Sequence, residues 1–224
     1  MNLNIKLLIF FCSLFSFLVL YGYRVGAESQ SGYILDARFG HAGKGAGEFS
    51  VPHSIVFDSL GNMYVTDNSN NRVQKFTSNG TFITKWGSHG KGDGQFLGPE
   101  GIDVDSGRNI YVADTGNSRI QKFTSNGTFI TKWGSNGTKD GQFGVLLGID
   151  IDSCGNVYTI DQANSLIQKF AINGTFIIKW TNPVFGNWEL EDIELDSSDN
   201  VYVTDRVKNE IFKFVQSIYP NPSN

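Results

Sequence analysis

Two cysteines, two methionines and three histidines among 224 residues leave the chain short of the groups that scaffolding and metal chemistry use. Two cysteines cannot staple a small disulfide-dense fold. His41, His53 and His89 are too few for a histidine-rich metal centre. No Lys/Arg run is present and the formal net charge is −4, so nothing tracks phosphates and nucleic acid is disfavoured as a partner. From Glu28 onward there is no 3.6-residue apolar periodicity, which excludes a helical domain. A G-x-S-x-G elbow, an H-E-x-x-H pair and a phosphate-binding Gly loop are all missing, so no catalytic residue is assigned. Gly90-Lys91-Gly92-Asp93-Gly94 looks phosphate-friendly, but it precedes a strand rather than a helix and reads as a flexible connector. What the chain has in plenty is glycine, at 26 residues, with 40% hydrophobic and 13% aromatic content. That is too apolar for a disordered chain and points to a turn-rich β protein.

The first 27 residues read as a processing segment. Lys6 precedes an almost unbroken apolar run of 17 residues, Leu7–Tyr23, and Val25-Gly26-Ala27 supplies small residues before polar Glu28-Ser29. This is the pattern of a secretory signal, with an uncleaved N-terminal anchor as the alternative. Either reading places the rest of the chain outside the cytoplasm, as a secreted or outward-facing anchored protein, and no other membrane contact is expected. Without residues 1–27 the balance is 16 bases against 22 acids, a net charge of −6. Cys154 is then the remaining thiol; it falls in a turn and reads as a small turn residue, with intermolecular pairing as the alternative.

The body of the chain is one motif written four times. Gln74-Lys75-Phe76 returns as Gln121-Lys122-Phe123 and Gln168-Lys169-Phe170, each 47 residues on, and Phe212-Lys213-Phe214 follows after 44. Residues 77–96 and 124–143 agree at 17 of 20 positions. Within the second unit Gly101–Asp105, Asn109–Asp114, Arg119–Phe123 and Thr128–Trp133 read as strands, each bounded by Gly, Asn, Asp or Ser. Asn-Gly between the last two is a hairpin signal, because both residues tolerate positive φ. Four short antiparallel strands per unit describe a propeller blade. Residues 28–215 are therefore expected to form an all-β, four-bladed β-propeller, with 216–224 as a tail. Tyr33–Phe39 aligns with Gly80–Trp86, a fourth strand with no blade before it, whereas the last unit lacks one after Glu210–Val215. The first is expected to complete the last blade and remove its exposed edge.

Pro99-Glu100-Gly101-Ile102-Asp103-Val104-Asp105, then Asn109-Ile110-Tyr111-Val112-Ala113-Asp114, then Asn117-Ser118-Arg119-Ile120-Gln121-Lys122-Phe123, resembles the NHL repeat, and the resemblance recurs over residues 33–214. It implies a propeller that serves as a protein- or RNA-binding module or an extracytoplasmic sensor; related propellers include a peptidyl-hydroxyglycine lyase. The family usually has six blades. Four units leave open a closed four-bladed ring, a partial arc of a six-bladed type, or self-association with another chain that completes the propeller.

Aligning the units gives two inner-strand columns. His53, Glu100, Leu147 and Glu191 form one; Val56, Asp103, Asp150 and Glu194 form the other. These carboxylates could hold a hard cation such as Ca²⁺ at the axis, but a solvated acidic channel mouth is the simpler expectation, and no cofactor is assigned. The lyase's several metal-bound histidines are not matched, since His53 alone stands in an inner strand. Asp67, Asp114, Asp161 and Asp205 end the second strands and are expected to cap local turns. Arg72 and Arg119 become Leu166 and Glu210, so an ion pair there is optional. Trp86, Trp133 and Trp180, with Phe39, read as packing between blades. Asn79, Asn126, Asn136 and Asn173 head N-x-T sequons, three of them hairpin Asn-Gly, and are candidate glycosylation sites. The leading expectation is an exported, non-enzymatic module binding a protein or glycan on one loop face. The alternative is a metal-assisted lyase or hydrolase built on the acidic inner-strand residues.

Overall fold

A computed structural model describes residues 36–181 and 189–216. The segments 1–27 and 217–224 and the start of the expected leading strand, Tyr33–Leu35, lie outside the described residues. Among the described residues no α-helix occurs, and no helix is long and apolar enough to cross a membrane.

Four antiparallel sheets follow one another along the chain, each laid out strand by strand in sequence order. Blade 1 is Pro52–Phe57, Met63–Asp67, Arg72–Phe76 and Phe82–Trp86. Blade 2 is Pro99–Val104, Ile110–Asp114, Arg119–Phe123 and Phe129–Trp133. Blade 3 is Leu146–Ile151, Val157–Asp161, Leu166–Phe170 and Phe176–Trp180. Blade 4 has three described strands, Leu190–Leu195, Val201–Asp205 and Glu210–Phe214. The protein is thus a β-propeller of four blades, as the repeat implied.

Each blade is fixed locally by its first turn. In blade 2 the Asp105 carboxylate accepts the backbone N–H of Asn109 at 2.8 Å and the Tyr111 hydroxyl at 3.0 Å. Asp58, Asp152 and Asp196 take the same two partners in their own blades. These are the aspartates of the repeated Asp-Ser-x-x-Asn connection, reaching back to donors that the turn would leave unpaired.

Packing between blades comes from the aromatic column. Trp86 lies against Phe123, Trp133 against Phe170 and Trp180 against Phe214, with ring centroids 5.9–6.1 Å apart, each pair bridging consecutive blades. Phe39 takes the equivalent place on Phe76 of blade 1 at 6.2 Å. The rings of Phe39, Trp86 and Trp133 also cover Gly80, Gly127 and Gly174 of the next Asn-Gly hairpins. A Cβ at Gly127 (φ +83°) would sit 2.5 Å from the Trp86 ring, whereas at Gly61 (φ +78°) the nearest neighbour would be 3.8 Å away. Gly61→Ala is therefore expected to cost about 1 kcal/mol from backbone conformation alone. Gly127→Ala should cost roughly 2–4 kcal/mol, because overpacking is added to the same backbone cost. Equal losses in urea titrations would show that the Trp86 contact contributes nothing.

The expected completion of blade 4 by Tyr33–Phe39 is not seen in its described part. Residues 36–39 belong to no strand, and Phe39 is held on blade 1. The inner strands of blades 1 and 2, 2 and 3, and 3 and 4 pack side by side; those of blades 4 and 1 do not. The described residues therefore form an arc with an unpacked seam, and no described strand pairs with the outer edge of blade 4.

Candidate functional site

The described stretches of the links, residues 43–48, 90–95 and 137–142, are anchored rather than flexible. The Arg119 guanidinium donates to the carbonyls of Lys91, Gly92 and Gln95 at 2.7–2.9 Å. Gln121 donates to Gln95 O and accepts from Gly94 N, and Asn117 donates to Gly90 O. Arg72, Gln74 and Asn70 repeat the pattern on residues 43–48. The Gly-rich string 90–94 is thus held at its backbone by the blade beneath, which corrects the flexible-connector expectation: the anchoring side chains lie 24–28 residues downstream and leave no local signature.

At the centre of that anchor stand the aspartates expected to cap turns. Asp114, fully buried, accepts from Leu97 N at 2.8 Å, Asn117 Nδ2 at 2.9 Å, Arg119 Nε at 2.7 Å and Gln121 Nε2 at 3.0 Å. Asp67 binds Ser50 N, Asn70, Arg72 and Gln74 in the same way. These residues clamp link to blade, and local turn capping is the lesser part of their work. It survives best in blade 4, where Asp205 accepts from Val207 N and Lys208 N. In blade 3, Leu166 replaces the arginine and Asp161 instead accepts Gly144 N and Val145 N.

The inner strands bring the candidate axial residues together in two recesses. The one nearer the links, about 180 Å³, is lined by His53, Ser54, Leu147, Glu191 and Asp192, with Gly101 and Gly148. Glu100 stands beside it, its Oε2 3.8 Å from His53 Nε2. Burial raises the Glu100 carboxyl; His53 opposes that and Glu191 adds to it. Glu191 turns partly away, 3.8 Å from Arg206 Nε. The second recess, about 360 Å³, is lined by Val56, Asp103, Asp150, Asp192 and Glu194, among others. Asp192 was not singled out in the sequence because its column reads Ser54, Gly101, Gly148; an acid in the last blade alone was its only signal.

Asp103 and Asp150 lie within hydrogen-bonding reach of each other, the arrangement in which two carboxyls hold one proton between them. Burial comes first, then the hydrogen bond to Asp150, and together they push the Asp103 carboxyl far above the ordinary carboxylate range. Asp150 is raised as well, by burial first, but the hydrogen bond to Asp103 and the backbone N–H groups of Ile151 and Leu195 oppose that rise. Glu194 is raised by burial and by its acidic neighbours. Among the described residues no group of three or more His, Cys, Asp or Glu is placed to hold a metal ion.

A raised acid has a definite effect on stability. The folded chain keeps a proton that the unfolded chain releases from about pH 4 upward, so folding weakens as pH rises through that window. Asp103→Asn, which keeps a donor toward Asp150, should remove this penalty. The expected gain is about 1–2 kcal/mol at pH 8, or roughly 2–8 °C in Tm, and none at pH 4. A variant whose Tm differs from the parent's by the same amount at both pH values would refute the shared proton.

All four sequon asparagines are exposed. Asn79 closes its hairpin by accepting from Thr77 and Thr81, so turn geometry alone accounts for that residue.

Comparison with known proteins agrees with this architecture. The NHL repeat model matches residues 49–76 and 96–123. Protein lin-41 of Caenorhabditis elegans is 49% identical over 47 residues, 21% of this chain and 4% of that protein. A catalytically inactive virginiamycin B lyase from Staphylococcus aureus, solved with quinupristin, superposes with a TM-score of 0.58 at 17% identity, over 80% of this chain and 58% of that one. The WD40 propeller domain of Doa1 superposes at 0.55 with 12% identity, over 75% of this chain and 50% of that one. The chain thus spans about half the length of those propellers and a small fraction of lin-41. Identities this low carry the fold and nothing of activity. The repeat match and the four sheets identify this chain as a β-propeller that carries NHL repeats at residues 49–76 and 96–123.

Proposed function

We propose that the protein is an exported, non-enzymatic binding module that recognises a protein or glycan on its link-bearing face. The observation that carries this reading is the clamp. Buried side chains fix the link backbones, while Lys91, Asp93, Lys139 and Asp140 at their tips stay exposed. Lys132 and Lys179 rise to meet Asp93 and Asp140, at 2.5 and 2.8 Å, and order those tips further. Rigid loops carrying differing charges lose little entropy on binding, which is what a recognition surface needs. The N-terminal apolar run supports export or anchoring, and the exposed sequon asparagines support glycan attachment in a host that performs it.

The test is a glycan array and an extracellular-protein array probed with the purified chain and with Lys91→Glu/Lys139→Glu. The expected result is a signal that the double substitution reduces at least tenfold while Tm is unchanged. Binding indifferent to the substitutions would place recognition elsewhere, and a reproducible hydrolase or lyase activity abolished at Glu100 or Asp150 would overturn the non-enzymatic reading.

A further inference from the structure

Every internal seam of the propeller is made from the same two faces. The forward face of blade 1 offers Tyr64, Val73 and Val56; the rear face of blade 2 offers Ile102, Ile110, Val112 and Phe123 to meet them. The column of Ile102, Ile149 and Ile193 is accordingly 4%, 6% and 2% exposed, and Val73, Ile120 and Ile167 are fully buried. The two ends of the arc break this pattern. Ile55, first member of the rear column, is 53% exposed, and Ile211, last member of the forward column, is 70% exposed. Phe57 and Val51 beside the one and Val215 beside the other are exposed too. The forward face of blade 4 is therefore open at Ile211 and Val215, and the rear face of blade 1 is open along Ile55 and Phe57, while its Met63, Val65 and Phe76 are already buried under Phe49 and Phe82.

We propose that a second copy of this chain docks its first blade onto the fourth blade, head to tail, repeating the internal seam between molecules. Three further observations fit that occupant. At the outer edge of blade 4, against blade 3, lies an apolar cleft of about 430 Å³ lined by Tyr158, Trp180, Val201 and Val215. In blade 3 the corresponding place is filled by Phe176 and the Gly174 hairpin, which pack over Trp133. Phe39 already occupies the tryptophan position on blade 1, as it would at a completed seam. Finally, Thr66 Oγ1 accepts from Ser54 N and donates across the first seam to Glu100 O at 2.7 Å. Thr204 Oγ1 accepts from Asp192 N in the same way, and the incoming copy's acceptor at that register is His53 O.

A contact between two different faces propagates unless its rotation closes, so the mass should grow with concentration beyond a dimer. The experiment is sedimentation velocity of the full chain, and of Ile55→Glu and Ile211→Glu, across roughly 1–100 μM, a span over which contacts of micromolar strength change occupancy. The parent is expected to associate, and each variant alone should remain monomeric with unchanged circular dichroism. An equimolar mixture of the two variants should form dimers and nothing larger, because together they retain one intact forward face and one intact rear face. A parent that is monomeric throughout, as intramolecular closure requires, would overturn the proposal. So would association that survives both substitutions, as aggregation through the apolar leading run would, or a mixture that stays monomeric.

Discussion

Asp114→Ala is expected to cost about 3–5 kcal/mol, because removing one partner of a buried ion pair leaves the other charge unpaired. Arg119 would keep its positive charge in a buried site, with its carbonyl acceptors but without the carboxylate 2.7 Å from Nε. Leu97 N, Asn117 Nδ2 and Gln121 Nε2 would lose an acceptor in the same step. For a chain of this size the loss corresponds to a fall in Tm of roughly 6–20 °C. Arg119→Leu is the informative control. Blade 3 carries that arrangement already, with Leu166 beside Asp161, and there link amides satisfy the aspartate. The arginine-deleted variant should therefore lose less than half as much as the aspartate-deleted one. Thermal melts in which Arg119→Leu proves the more damaging would show that the arginine's bonds to the link carbonyls, rather than the aspartate's hub, hold link to blade.

The clamp also marks where the sequence stops being readable. Strand positions, the aromatic column and the blade count follow from a 47-residue period, because a repeat makes every column its own control. The Trp86–Phe123 contact was legible for that reason: aromatics that recur at one register have to meet something that recurs with them. The role of Asp114 was not legible. Its partners include Leu97, 17 residues upstream, and the arginine it orients reaches links 24–28 residues away, distances over which local turn logic has no reach. The axial acids were legible as a column, but not their protonation, which depends on how deeply Asp103 and Asp150 are buried against each other. The open seam was half legible. Unmatched half-blades at the two ends predicted a leading strand that completes the last blade, yet which molecule supplies the partner is a matter of geometry that no single register encodes.

The second large effect is expected at Trp133, where the same column separates closed seams from the open one. Trp133→Ala should cost about 3–5 kcal/mol, the usual penalty for emptying a large aromatic site. The indole sits between Tyr111 and Phe170, with ring centroids 6.2 and 6.1 Å away, and covers Gly174 so closely that no Cβ could be placed there. Trp133→Phe should be much milder, below about 1.5 kcal/mol. Phenylalanine already serves at position 39 of the column, and the buried Trp133 Nε1 makes no hydrogen bond whose loss would count. Trp180 contacts Tyr158 and Phe214 in a similar way but borders the open cleft of blade 4, so in the isolated chain there is less packing to lose. Trp180→Ala should then cost roughly half as much in dilute urea titrations. Its cost should rise with protein concentration as a second copy covers the cleft, whereas that of Trp133→Ala should not, since the Trp133 seam is complete within one chain. Equal and concentration-independent losses at the two positions would mean that the blade 4 edge is already covered within the monomer.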